Sequence, residues 1–259
     1  MNYGLYLAAS GTLSNLYRMD VFANNLANSQ TTGFKPVFAT VRARDAASVE
    51  DGLSTLPSSR MLEQLGAGVM MLPNRVSLRQ GTPETTGRKL DLAIQGDGFF
   101  VVQEGRGSDP ASLRLTRDGR LALDGQGRLV QASSGKPVLD RSGRAITLAP
   151  DRDISIDAAG AVLQGGVRVG EIQFVSIPDT ANLQPRGAGL FTAPPAVIAK
   201  RSPATGQLIQ GAIEGSAVDP IRATMDIASA ERAVGSSTRL IQLHDQLMDR
   251  AINTFGRIG

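Results

Sequence analysis

The chain has 259 residues, 41% hydrophobic and 20% charged, with 29 Gly, 13 Pro, one His and neither Cys nor Trp. This is the composition of a globular chain that buries a core of Leu, Ile, Val and Ala between many turns. It leaves no material for disulfides, thiolate nucleophiles or zinc–thiolate sites and almost none for histidine-based metal sites or triads. The formal charge of +3 is carried by scattered arginines (Arg75, Arg88, Arg106, Arg120, Arg144, Arg168) with acids between them, the pattern of a solvated surface rather than of a nucleic-acid reader.

No stretch reaches the ~18 apolar residues of a membrane helix. The first cationic side chain is Arg18, so a cationic n-region is missing, and neither membrane insertion nor a cleaved secretory peptide is expected. Residues 3–28 contain no Pro and only two Gly, Gly4 and Gly11. There Leu5, Ala9, Thr12, Leu16, Met19, Ala23 and Leu26 recur at alternating spacings of four and three, which predicts a helix with a heptad seam. Gly33 and Pro36 close it. Residues 38–73 are broken by Pro57-Ser58-Ser59, Gly66 and Gly68 and read as an extended connector, mobile near 51–59.

Residues 75–215 read as β structure. Apolar or alternating runs cover 90–94, 99–103, 113–116, 120–123, 128–131, 145–148, 153–156 and 171–177. Between several of them stand Asp118-Gly119, Asp124-Gly125-Gln126-Gly127, Asp140-Arg141-Ser142-Gly143 and Asp157-Ala158-Ala159-Gly160. Asp bonds the turn backbone and Gly accepts positive φ, so these are hairpin turns. They lack the alternating oxygen ligands and closing Glu of a calcium loop. Asp219-Pro220 then reads as an N-cap followed by Pro at the first helical position. Behind it Ile227, Ala230, Val234, Ser237, Ile241, His244, Met248, Ala251 and Phe255 repeat the heptad spacing. Gly235-Ser236-Ser237-Thr238 is a weak point in that helix.

Sites for chemistry are hard to find. Gly135-Lys136 is followed by Pro137 and lacks the earlier Gly of a phosphate loop. Gly96-Asp97-Gly98 precedes a strand, so it reads as a tight turn into Phe99-Phe100 rather than a dinucleotide fingerprint. His244, with Asp245 and Asp249 nearby, sits on the helical seam as an interhelical polar contact, with no nucleophile beside it. Asp151 and Asp153 are close in sequence, but nothing places them in a shared cleft. No catalytic, cofactor or metal residues are assigned.

Four collinear segments carry a resemblance. Ala23-Asn24-Asn25-Leu26-Ala27-Asn28 with Thr32-Gly33-Phe34-Lys35 resembles the N-terminal signature of the bacterial flagellar axial proteins, the rod, hook and hook-associated subunits. Leu90-Asp91-Leu92-Ala93-Ile94-Gln95-Gly96-Asp97-Gly98-Phe99-Phe100 resembles the entry to the β domain of rod and hook subunits. Leu115-Thr116-Arg117-Asp118-Gly119 with Gly127-Arg128-Leu129-Val130, and Gly211-Ala212-Ile213-Glu214-Gly215-Ser216 with Val218, complete the match. Ala217 stands where the family commonly has Asn, and Val234-Gly235 replaces an aromatic–acid pair after Arg232.

The resemblance implies a structural protein without cofactor whose partners are other copies of itself and other rod subunits. It also implies passage unfolded through the flagellar type III export apparatus, without a cleaved signal, and assembly into the rod that crosses the periplasm. The length suits a rod subunit. The order Glu214-Gly215-Ser216 through Pro220 resembles the proximal subunit, which is favoured, whereas Thr55-Leu56-Pro57-Ser58 is similar to the distal one. The expected fold is α+β. Residues 1–35 and 218–259 form a coiled-coil-like helical domain, 36–74 the connector and 75–217 a hairpin-rich all-β domain. The expected assembly interface is Leu5, Ala9, Leu16, Met19, Ala23, Leu26, Ile227, Val234, Ile241, Met248 and Phe255. The motif residues are Asn24, Asn25, Leu26, Ala27, Asn28, Thr32, Gly33, Phe34, Gly96, Gly98, Phe99 and Phe100. A peptidoglycan-acting enzyme is the alternative from another class, and it would need a carboxylate or His cluster in a cleft.

Overall fold

The computed structural model describes residues 3–45, 68–105, 109–150 and 152–255. Helix α1 (Tyr3–Ala27) is followed by β1 (Val37–Ala43), β2 (Val69–Val76), β3 (Pro83–Thr85), β4 (Leu92–Gln95), β5 (Phe99–Gln103), β6 (Leu113–Thr116), β7 (Leu121–Leu123), β8 (Leu129–Gln131) and β9 (Ile154–Ile156). Then come β10 (Ala161–Gln164), β11 (Val167–Glu171), β12 (Phe174–Ser176), β13 (Gln184–Pro185), β14 (Leu190–Thr192), the short α2 (Pro195–Ala199), β15 (Ser202–Pro203), β16 (Gln207–Gln210), β17 (Ala212–Glu214) and α3 (Pro220–Phe255). The α+β content is as expected from the sequence. The chain divides into two units, a helical one of residues 1–26, 37–74 and 220–259 and a β unit of residues 27–36 and 75–219.

In the helical unit, α1 ends at Ala27, well before Gly33, and α3 begins at Pro220 and runs unbroken through Gly235. Ser236 and Thr238 return their hydroxyls to the carbonyls of Arg232 and Val234, four residues back, which keeps both donors satisfied inside the helix. The ends of the segment read as a connector pair with each other, β1 with β2. The expected mobile stretch near 51–59, and Thr55 to Ser58 within it, lie outside the described residues. The strand pair is held to α1 by polar side chains. Ser10 Oγ accepts from Val69 N at 3.0 Å, and Tyr17 donates to Asn74 Oδ1 at 2.9 Å. Asn25 pairs with Val37 through both ends of its amide, at 2.7 and 2.9 Å, as a strand neighbour would.

In the β unit, β13-β14-β6-β5-β12-β15 form a six-stranded antiparallel sheet. Both of its faces are covered. Phe100 and Val102 of β5 enter a core with Leu92, Ile94, Leu121, Leu129 and Ile172, while Phe99 and Val101 enter a second with Leu113, Leu115, Leu183 and Phe191. Strict alternation between two cores makes β5 read as a continuous apolar run. The rings of Phe99 and Phe191 meet edge to face at 5.9 Å between centroids. The runs at 99–103 and 113–116 coincide with β5 and β6. Residues 145–148 are a correction. Ile146 and Leu148 are buried, but only isolated bridges at Ala145 and Thr147 form, so the alternation marks a core-lining segment without a strand.

The aspartate turns form as expected at three places. Asp124 Oδ1 accepts from Gln126 N and Arg128 N, Asp140 Oδ1 from Ser142 and Arg144 N, and Asp157 Oδ1 from Ala159 N and Ala161 N. Asp118 differs in being buried, with side-chain partners from residues 131 and 133, beyond its own turn.

Candidate functional site

After α1 the chain turns on Asn28, whose carbonyl accepts from Thr31 N and whose Oδ1 accepts from the Thr31 hydroxyl. Residues 27–35, read from the sequence as part of the helical domain, and Pro36, read as the start of the connector, lie in the β unit. Gly33 takes φ +67°, and its N–H donates to the Glu214 carbonyl at 2.7 Å. A Cβ there would stand 2.5 Å from the backbone of Arg117 and Asp118. Both the conformation and the close approach require glycine.

This contact delivers Lys35 to a buried charge cluster. Lys35 Nζ donates to Glu214 Oε1 and to the Arg79 carbonyl, each at 2.6 Å, and Gly81 N donates to the same Oε1 at 2.8 Å. Arg117 Nη1 donates to Glu214 Oε2 at 3.2 Å, and Nη2 to the Gly96 carbonyl at 2.9 Å. The side chains of Lys35, Glu214 and Arg117 are 0%, 1% and 3% exposed. Burial holds the Lys35 ammonium below its usual pKa. The adjacent Glu214 carboxylate and its hydrogen bond work against that shift, and Arg117 adds to it. The Arg117 guanidinium lies over the Phe99 ring, 5.3 Å from its centroid. Asp118, next in sequence, accepts from Arg120 N, Ser133 Oγ and Gln131 Nε2.

Four segments far apart in sequence meet here. Thr32 to Lys35 brings Gly33 and Lys35. Gly96 and Gly98, both at positive φ, turn the chain into buried Phe99 and Phe100. Arg117-Asp118 closes one side, and Glu214 closes the other. Both Glu214 oxygens are engaged by cations or a backbone N–H, so the cluster acts as a structural joint and leaves no carboxylate free to work as a base. No sequence pattern pairs Lys35 with Glu214 across 179 positions. The only signal was that each charge falls inside one of the four matching segments.

The helix faces carry the other candidate residues. Leu5, Ala9, Met19 and Leu26 are half-buried, and Leu16 and Ala23 are exposed. The most buried residues of α1 are instead Ser14, Val21 and Asn25. Of the motif residues, Asn24 and Ala27 are exposed, Asn28 and Phe34 half-buried, and Thr32 buried. On α3, Ile227, Val234 and Ile241 are half-buried and Met248 is exposed; the side chain of Phe255 lies outside the described residues. A second apolar stripe runs along α3: Leu240, Leu243 and Leu247 are 53–61% exposed, with Ile252 65% exposed on another face, and Tyr6 and Leu13 on α1 are 52% and 61% exposed. The three-and-four spacing of 240, 243 and 247 was available as a signal. His244 sits against α1, where a Cβ on Gly4 would lie 2.5 Å from its Nε2. Asp153 pairs with Lys89, and Asp151 lies outside the described residues. Among the described residues no helix is long and apolar enough to cross a membrane.

Helices whose own chain leaves apolar stripes uncovered, together with charges consumed in a structural joint, define a self-assembling structural subunit. Comparison with known proteins gives the family. Residues 5–35 match the family model described as flagella basal body rod protein. Residues 93–164 match the flagellar hook protein FlgE/F/G D1 domain, and residues 209–254 the flagellar basal body rod FlgEFG protein C-terminal region. The flagellar basal-body rod protein FlgF of Caulobacter vibrioides is 33% identical over 266 residues, covering 100% of both chains. FlgG of Buchnera aphidicola subsp. Acyrthosiphon pisum is 29% identical, over 95% of this chain and 97% of the relative, and FlgF of Escherichia coli is 29% identical over 97% of each.

The chain belongs to the flagellar basal-body rod proteins. It is a structural subunit of the rod, not an enzyme, and serves motility by assembling with other rod components.

Proposed function

We propose that α1 and α3 pair within the chain as a coiled coil and that their remaining apolar faces pack on the helices of neighbouring rod subunits, making an inner tube with the β unit outside. The observation that carries this reading is the exposed stripe of Leu240, Leu243 and Leu247, with Ile252 exposed on another face of the same helix. Each such side chain gains ~1.5–3 kcal/mol on burial, and a stripe of three leucines is a strong driving force for association. The contacts of Gly4 with His244 and of Gly11 with Ser237 support pairing inside one chain. The half-buried seam of Leu5, Ala9, Met19, Leu26, Ile227, Val234 and Ile241 is shared between that pairing and the neighbours, while Leu16, Ala23, Met248 and Phe255 serve the outer contacts. Heterologous contacts that do not close generate helical assemblies, the geometry a rod requires.

The subunit reaches the rod, where it crosses the periplasm, through the flagellar type III export apparatus and without cleavage of an N-terminal peptide. Its place is the proximal rod, a reading supported by the order of residues 214–220. The test is a Leu243→Asp/Leu247→Asp chain. It is expected to retain the folded β unit, to be missing from isolated basal bodies and to abolish swimming; normal motility contradicts the reading. N-terminal sequencing of the chain from basal bodies checks the uncleaved terminus.

A further inference from the structure

Two contacts fix the relation between α1 and α3. The His244 imidazole lies over the bare backbone of Gly4, with Nε2 and Cε1 at 2.5 and 2.7 Å from where a Cβ would be. The corresponding position at Gly11 is 3.8 Å from Ser237 Oγ. Moving seven residues forward on α1 moves seven backward on α3, so the helices are antiparallel with a common heptad step. Along that line α3 presents Ala223, Ala230, Ser237, His244 and Ala251. Four are small and one is large, and the large one stands opposite a glycine.

We propose that His244 is the register key of this pair. A line of small residues lets two helices slide by a heptad with little change in packing, whereas an imidazole needs a gap in the facing helix. On α1 the facing positions are Gly4, Gly11, Arg18 and Asn25. Arg18 and Asn25 exclude their registers by bulk. Gly11 offers the one competing gap, one heptad away, and that register would set Ser237 against Arg18. His244 against Gly4 thus selects between two registers that the rest of the seam barely distinguishes, and its role is positioning rather than catalytic. The inference rests on the within-chain pairing proposed above.

The absence of Cys from the chain permits a direct test. Gly11→Cys/Ser237→Cys reports the observed register, since a Cβ at position 11 would stand 3.8 Å from Ser237 Oγ, the place the second cysteine's sulfur takes, and Arg18→Cys/Ser237→Cys reports the register shifted by a heptad. Both full-length chains are oxidised with diamide in isolated basal bodies and as purified protein, and the joined peptides are read by mass spectrometry. The 11–237 link is expected within single chains and the 18–237 link is not. Adding Gly4→Ala should lower the 11–237 yield by roughly fivefold and raise the 18–237 yield, and His244→Ala in the same chain should restore the 11–237 link. Helix propensity alone acts oppositely, because alanine favours the helix over glycine. An intrachain 11–237 yield unchanged or raised by Gly4→Ala overturns the key alone. Links that join different chains, or no link in either setting, overturn the pairing beneath it.

Discussion

Glu214 is the residue on which the β unit's ends converge. Its carboxylate holds Lys35, Gly81 and Arg117, and its carbonyl holds Gly33. Removing one partner of a buried ion pair strands the others in a low dielectric, a loss of about 3–5 kcal/mol. Glu214→Gln, which keeps the shape, is expected to lower stability by that amount in urea unfolding; a loss under 1 kcal/mol would show that the cluster is not electrostatically coupled. Glu104 contributes to the acid limb of stability. Its pKa is held below the ordinary 4.5 mainly by the hydrogen bond from Lys136, with Arg114 adding to the effect. The folded-state value lies below the unfolded one, so the contribution is present above pH 4.5 and is lost as pH falls through the folded value. Thermal unfolding between pH 6 and pH 3 should show a steeper loss in the parent chain than in Glu104→Gln. At this scale the turn aspartates were legible, because an Asx turn is local. Lys35, Arg117 and Asp118 were not, since their partners come from other strands and turns.

Among the elements, α1 shows how a heptad pattern can be correct in period and incomplete in facing. The spacing of Leu5, Ala9 and Leu16 identified the helix. The face covered by β1 and β2, however, uses Ser10, Tyr17 and Asn25, polar residues whose burial depends on hydrogen bonds to a strand edge and so is invisible to apolar periodicity. The long strand β5 was legible because both its faces are apolar, whereas β13 and β15, of two residues each, carry no period at all. In α3 the weak stretch at Gly235 persists as helix with nothing within 4 Å of a would-be Cβ. Gly235→Ala is therefore expected to raise the helix's thermal stability by ~0.5–1 kcal/mol, read by circular dichroism of the full chain. A decrease would reveal a close approach at that position.

At the scale of the whole molecule, the terminal segments are distant in sequence and fall in one compact unit. The family was legible because its four motifs are the segments that build the joint and its approach, and a buried joint of this kind tolerates few residue types at each position. Less legible was which apolar faces stay open, because that depends on what the chain itself covers. The central claim is that α1 and α3 build the rod's inner wall through those open faces. A cryo-electron microscopy map of basal bodies isolated from the source bacterium tests it most directly. The account predicts α1 and α3 in the inner tube, with Leu243 and Leu247 buried against helices of neighbouring subunits and the β unit outside; a rod in which these leucines face solvent, or in which the β unit makes all contacts between subunits, would contradict it.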